Sequence, residues 1–360
     1  MTNRERIIKT FLCEPTDRLP FFAGFGPWSE TVVRWRTEGL DSGKSWDAGF
    51  GYDVGIAGVP AYLGYLPKFT RQTIERRAES YIQVDDRGIT MECRNDGNSI
   101  PHFIDYPVKN RADWIKLRDE RLNSDDPGRF PENWNEVAKK LNEGDAAVQI
   151  GTFPYGVFGT LRDMMGVEEL LVSFYDEPDL IHEMMDYLTD FWIRIYEKAA
   201  ADVQIDCVHM WEDMSGKQGS LISPSMVREF MLPNYRKIRK FCDAHGITAF
   251  SVDTDGNCDE LCGLYMEAGV NYIYPFEVAA GCDVNAYREK YPKLCMMGGI
   301  DKQAIALGHD AIDVELARIK PMLKHTGYIP ALDHLIHPQI SWDDFNYYTF
   351  KLKEMIFNQS

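Results

Sequence analysis

No apolar run in this chain approaches the ~20 residues that a bilayer-spanning helix needs, so no membrane segment is expected. Runs of lysine or arginine are missing too, and 39 basic side chains are outnumbered by 56 acidic ones, a formal net charge of -17. Binding to phosphate backbones needs a basic footprint, so this balance argues against a nucleic-acid partner. Neither G-x-G-x-x-G nor G-x-x-x-x-G-K-[ST] follows a strand-like segment, which removes the usual nucleotide-binding reading of an open parallel sheet. Cysteine is sparse: the eight residues at 13, 93, 207, 242, 258, 262, 282 and 295 form no dense framework and suit reduced thiols. Cys258 and Cys262 lack the second Cys/His pair that a structural zinc site would require. The first residues are charged and carry a Thr2/Glu5 capping-box pattern, which predicts a short N-terminal amphipathic helix and no signal peptide. A cytoplasmic protein is expected.

What the chain does have is a repeating rhythm. Short apolar runs at 207–211, 249–252, 272–274, 295–297 and 328–329 alternate with helical patterns at about 224–244, 259–268, 283–290, 310–325 and 341–357. Five βα units in series predict a parallel sheet. Strand candidates at 18–24, 53–58 and 147–151 bring the total to eight, and 360 residues lie within the range of one (β/α)8 barrel with insertions. The expectation is a single α/β domain over 1–360, a (β/α)8 TIM barrel with an N-terminal helical extension. The alternation at 81–93 around Asp86, Arg87 and Gly88 signals a β-hairpin, which does not belong to the βα repeat and reads as an insertion.

In such a barrel the residues just after each strand share one rim, where ligands bind. Here that rim is rich in acids. The run 248–257 is the most telling, because Asp253 and Asp255 stand one residue apart at a strand's end and their carboxylates point the same way in extended geometry. Around them the other strand ends contribute Trp211, Glu212, Asp213 and Lys217, then Tyr274, Phe276 and Glu277, then Asp301 and Lys302, and last Asp333, His334 and His337. Each has a bland explanation. The two aspartates can cap the next helix, Glu212 and Asp213 can pair with Lys217, and Asp301 can cap the helix that follows it. Their convergence on one mouth points instead to a metal or acid/base site.

The opening 3–6 and 15–20 segments, Ile222-Ser223-Pro224 followed by Phe230 to Pro233, Asp255-Gly256-Asn257, Gly298-Gly299-Ile300-Asp301, and Asp333-His334 ahead of Pro338 resemble the uroporphyrinogen decarboxylase superfamily over nearly the whole chain. The resemblance implies a (β/α)8 barrel and either decarboxylation or methyl transfer involving corrinoid proteins. The decarboxylases carry an R-Q-A-G-R-Y segment after the first strand, where this chain reads Ala23-Gly24-Phe25-Gly26-Pro27-Trp28. The corrinoid methyltransferases bind zinc through H-x-C-G and a later cysteine, and those positions here hold Asp253, Asp255 and His334. With Glu277 as the counterpart of a family glutamate, the resemblance implies an oxygen-rich set of Asp253, Glu277 and His334 for zinc or another divalent metal.

The leading expectation is therefore a demethylating methyltransferase that passes a methyl group from a small O- or N-methylated compound to a corrinoid protein, in a chain compatible with a homodimer. Glu212, Asp213 and Asp255 would carry the chemistry. Trp28, Trp211, Lys217, Tyr274, Phe276 and His337 would bind substrate, the aromatics by holding a ring or a quaternary ammonium. The alternatives are a decarboxylase or lyase using Asp253 or Asp255 as acid, with Lys217 or Arg18 on the carboxylate, and a non-catalytic ligand-binding barrel.

Overall fold

The computed structural model describes residues 1–96 and 100–358. Its strands in chain order are β1 (Ile56–Gly58), β2 (Gln72–Arg76), β3 (Ser80–Val84), β4 (Thr90–Arg94), β5 (His102–Asp105), β6 (Ala147–Ile150), β7 (Cys207–Trp211), β8 (Ser215–Gly216), β9 (Gly219–Ser220), β10 (Ala249–Asp253), β11 (Tyr272–Phe276), β12 (Cys295–Ile300) and β13 (Tyr328–Leu332). Seven of them form one parallel sheet in the order β1-β6-β7-β10-β11-β12-β13, with helices between successive members. Chain order equals spatial order, without the reversal that marks a doubly wound sheet.

The eighth strand expected at 18–24 does not form among the described residues. That segment carries Pro20, which has no N–H to give a ladder. It makes isolated bonds instead. Phe21 O accepts from Asp53 N just ahead of β1, and at its far end Trp28 N donates to Ile336 O while Ile336 N donates to Gly26 O. The segment thus spans the gap between the two edge strands, pressed so close that a Cβ on Gly24 would come within 3.0 Å of Ala331 and Met297.

Two apolar clusters flank the sheet. The larger lies between strands and helices, while the smaller fills the inside of the curl with Ala147, Cys207, Ala249, Tyr272, Cys295, Met297, Ile329 and Ala331. Strand starts with such small side chains leave room for Ile7 and Phe11 of the N-terminal helix Asn3–Phe11, whose capping box between Thr2 and Glu5 is present as expected. Phe11 sits 4.9 Å from the Tyr272 ring. The helix therefore closes the N-terminal end of the curl, and each buried side chain contributes about 1.5–3 kcal/mol. The opposite end, where strands give way to loops, stays polar.

The predicted hairpin is present as β3 and β4, paired from Ser80↔Arg94 to Val84↔Thr90, but it belongs to a larger four-stranded antiparallel sheet, β2-β3-β4-β5. Asp85 shapes its turn by accepting from the N–H groups of Arg87 and Ile89, each at 2.9 Å. Among the described residues no helix is long and apolar enough to cross a membrane.

Candidate active site

Strand alternation decides what enters the mouth. Along β10, Ala249 and Ser251 face into the curl, so Asp253 does as well, at the strand's last position. No hydrogen bond to its carboxyl is found among the described residues. Burial, reinforced by the negative charges of Asp255, Asp213 and Glu277, pushes its pKa well above the usual carboxylate range. Beneath it lies a neutral polar layer. The Tyr274 hydroxyl is 3.2 Å from Nδ1 of His209 and the two rings stack at 5.3 Å, while His209 Nδ1 is 2.9 Å from Ser251 Oγ. Burial pushes the His209 pKa down to about 3, so this imidazole is uncharged at neutral pH.

Above that layer three side chains from different loops meet. Asp255 Oδ2 lies 3.3 Å from His334 Nε2, and with Glu277 they bring one ligand atom each to within 4.8 Å of one another. Glu277 Oε2 accepts from Gly256 N at 2.8 Å, and its Oε1 is 3.5 Å from Lys302 Nζ. Lys302 also reaches Asp333 Oδ1 at 3.5 Å, and Asp333, fully buried, accepts from the N–H groups of Val278 and Lys302. The His334 ring stacks on Phe25 at 5.4 Å. Burial alone would lower the His334 pKa, but its hydrogen bond to Asp255 and the charges of Asp255 and Glu277 outweigh that and raise it.

The three side chains that converge are Asp255, Glu277 and His334, whereas the resemblance implies Asp253 with Glu277 and His334. The cause is local. Asp253 ends the strand and follows its inward alternation, whereas Asp255 lies within a turn in which Thr254 N donates to Tyr274 O and Gly256 has a φ of +75°. The turn carries Asp255 toward the loops after β11 and β13. Two carboxylates and one imidazole suit zinc and harder divalent cations, so the donor set fits such a metal without any thiolate.

Residues 80–354 match the uroporphyrinogen decarboxylase (URO-D) family. The chain belongs to that family. Among solved structures a methyltransferase from Methanosarcina mazei resembles it with a TM-score of 0.65 at 15% identity, covering 98% of this chain and 99% of that one, a likeness of fold. No curated protein matches the chain. All three converging side chains lie inside the family match.

Other residues proposed from the sequence land elsewhere. Glu212 is not in the mouth. It is fully buried, and its carboxylate accepts from Val157 N, Phe158 N and Gly159 N at 2.9, 2.6 and 3.0 Å and from the Tyr235 hydroxyl at 2.6 Å. It anchors the start of the helix Gly159–Met165. Phe276 is buried in the outer core against Tyr287, because a register shift between Ile273 and Phe276 breaks the alternation that would have aimed it inward with Tyr274. Lys217 is exposed on the turn joining β8 and β9 and reaches neither Glu212 nor Asp213. Arg18 is paired with Asp53 at 2.6 Å ahead of β1, at the other end of the strands. Asp301 takes its bland role, capping the next helix by accepting from Gln303 N.

The remaining candidates sit at the rim. Asp213 has a φ of +41°, a conformation costing a non-glycine residue roughly 1–2 kcal/mol, and is held there by Arg162, whose Nη2 is 2.5 Å from its Oδ2. Trp211 is nearly buried between that guanidinium, 5.0 Å from its ring, and Phe153, 4.7 Å away. Gly156 lets it in, since a Cβ there would meet Trp211 O at 1.8 Å. Trp28 is more than one-third exposed beside Ile336, and His337 has a buried Nε2 without a partner. Sequence reasoning missed His209, Arg162 and the bridging role of Lys302. A histidine inside an apolar strand was the one available signal, and the other two become legible only through contacts far apart in the chain.

Proposed function

We propose that this protein is a methyltransferase of the demethylating kind, taking a methyl group from a small O- or N-methylated compound and passing it to a corrinoid carried by a partner protein. The convergence of Asp255, Glu277 and His334 at the barrel mouth carries this reading. The methanogen neighbour, itself named a methyltransferase, supports it. A divalent cation held by these three would supply Lewis-acid polarisation of the oxygen or nitrogen that gives up the methyl group. Lys302 holds Glu277 in place, Gly256 N fixes its second oxygen, and Phe25 sets the plane of His334. Asp253, unpartnered at the floor, is placed to hydrogen-bond the reacting group, and Tyr274, Trp211 and Trp28 offer aromatic surface around it.

Calorimetric titration with Zn2+ tests the metal. Asp255→Ala, Glu277→Ala and His334→Ala are each expected to weaken binding by at least the ~10 to 100-fold seen for losses one shell further out, while Asp253→Ala keeps near wild-type affinity. Superimposable curves for wild type and the three variants would refute the site. A screen of methylated compounds with an added corrinoid protein then tests the transfer itself.

A second reading has one observation in its favour. Lys302, the raised His334 and the unpartnered His337 Nε2 are cations or donors that would suit the carboxylate of a lyase or decarboxylase substrate. Uroporphyrinogen is not that substrate under either reading. The segment 23–28 has no arginine, and the acids around Asp253 repel a molecule bearing several carboxylates. Incubation with uroporphyrinogen is expected to yield no coproporphyrinogen above a heat-denatured control, and a clear excess would reverse the assignment.

A further inference from the structure

Two attachments between the antiparallel sheet and the barrel land on one short helix, Gly159–Met165. In the turn between β3 and β4, Arg87 pairs with Asp85, Nε to Oδ2 at 3.0 Å, and through Nη1 with Asp163 on the helix. Beyond β5, Val108 N donates to Met164 O at 3.0 Å and Tyr106 packs over Gly166, where a Cβ would come within 2.5 Å of its ring. The neighbouring helix residue, Arg162, points the other way. Its Nη1 donates to Asp213 O and its Nη2 pairs with Asp213 Oδ2, both at 2.5 Å. Asp213 N in turn donates to Asp253 O at 3.3 Å and Met214 N to Thr254 Oγ1 at 3.2 Å, which ties this segment to the turn that carries Asp255. The same helix is fastened at its start by Glu212, the residue preceding Asp213.

Consecutive side chains on one helix thus face two ion pairs, one reaching the sheet and one reaching the mouth. A helix of two turns with its first N–H groups and both side chains engaged moves as a unit, so a displacement at Asp163 is passed to Arg162. We propose that Arg87 is a positioning residue for the mouth: by holding Asp163 it fixes the helix Gly159–Met165, and through Arg162 and Asp213 it sets the turn 253–255 that presents Asp255 to His334. This deepens the metal-site reading above, but the link itself is measurable without metal or substrate. An Arg87 that merely braced its own sheet would, when removed, loosen residues 72–105 and nothing beyond them.

The test compares Arg87→Ala, Arg87→Lys, Arg162→Ala and the Arg87→Ala/Arg162→Ala double variant. Arg71→Ala serves as a control, since Arg71 is an exposed residue of the same sheet region and, among the described residues, forms its ion pair with Asp86, at 3.3 Å. Hydrogen exchange is read over 213–222 and 253–257, which include the Gly256 amide that donates to Glu277. Arg87→Ala is expected to speed exchange in both segments, Arg87→Lys to restore most of the protection, and Arg71→Ala to leave it unchanged. Co2+ affinity is expected to fall on the order of 10-fold in Arg87→Ala. The double variant should be no weaker than Arg162→Ala alone, because both substitutions cut one link. Faster exchange confined to 72–105, or losses that multiply in the double variant, would overturn the proposal. Wild-type protein that binds no Co2+ would remove the metal reading, and the exchange measurements would still decide the coupling.

Discussion

Glu212→Ala is expected to destabilise the protein by about 3–5 kcal/mol, the cost of leaving several buried donors without an acceptor. The side chain is completely buried, and four donors converge on it: three consecutive backbone N–H groups and the Tyr235 hydroxyl. Truncation leaves all four without an acceptor in a place water cannot easily reach, and each orphaned donor costs about 1–3 kcal/mol before the chain relaxes. Those amides open the helix Gly159–Met165, so the loss also leaves the first turn of that helix uncapped. Glu212→Gln retains one acceptor oxygen and should lose about half as much. Urea unfolding at neutral pH measures both. An unchanged midpoint for Glu212→Ala would show that the carboxylate is dispensable to the fold and would return it to the list of catalytic candidates.

The second large effect concerns acid stability. His209 is buried and uncharged, with its pKa pushed down to about 3, whereas the same side chain in an unfolded chain titrates near ~6.5. Its folded pKa is depressed, so below ~6.5 the unfolded chain takes up a proton that the folded one refuses. Stability is complete above that pH and drains away as the pH falls toward 3. At about 1.4 kcal/mol per pH unit the window accumulates on the order of 5 kcal/mol. His209→Gln keeps a polar group near Ser251 and Tyr274 but cannot titrate. The stability advantage of wild type over this variant should therefore shrink steadily between about pH 6.5 and pH 4 in urea titrations. Parallel pH profiles for the two proteins would show that His209 is not the group responsible.

Legibility varied with the range of the forces involved. The N-terminal helix and its cap, the β3–β4 hairpin, and strands β6, β7, β10, β11, β12 and β13 were readable because a capping box, a turn and a buried apolar run are local patterns. The segment 18–24 carried the apolar run of a strand yet pairs with neither edge as one, because Pro20 and the loop contacts at Phe21 and Trp28 decide its path. Phe276 shows the same limit on a smaller scale. The sequence placed it just past the strand 272–274, whereas it closes β11, where one register shift sets the face it occupies.

The sequence by itself determined that acids, two histidines and several aromatics would gather at strand ends of a βα-repeating chain, since period and spacing settle which residues follow which strand. It also determined what the protein lacks: a basic surface, a phosphate loop and the arginines of a porphyrin site. Only the tertiary structure decided which carboxylates converge at the strand ends. Glu212 and Asp213 are adjacent in the chain, yet one is drawn down to three helix amides and the other is held at the rim by Arg162. Asp253 and Asp255 share an alternation, yet a single turn sends Asp255 to His334 and leaves Asp253 alone on the floor. The physical reason is that a carboxylate goes where donors and cations are, and those partners lie far away in sequence, as His334 does from Asp255, Arg162 from Asp213 and Val157 from Glu212.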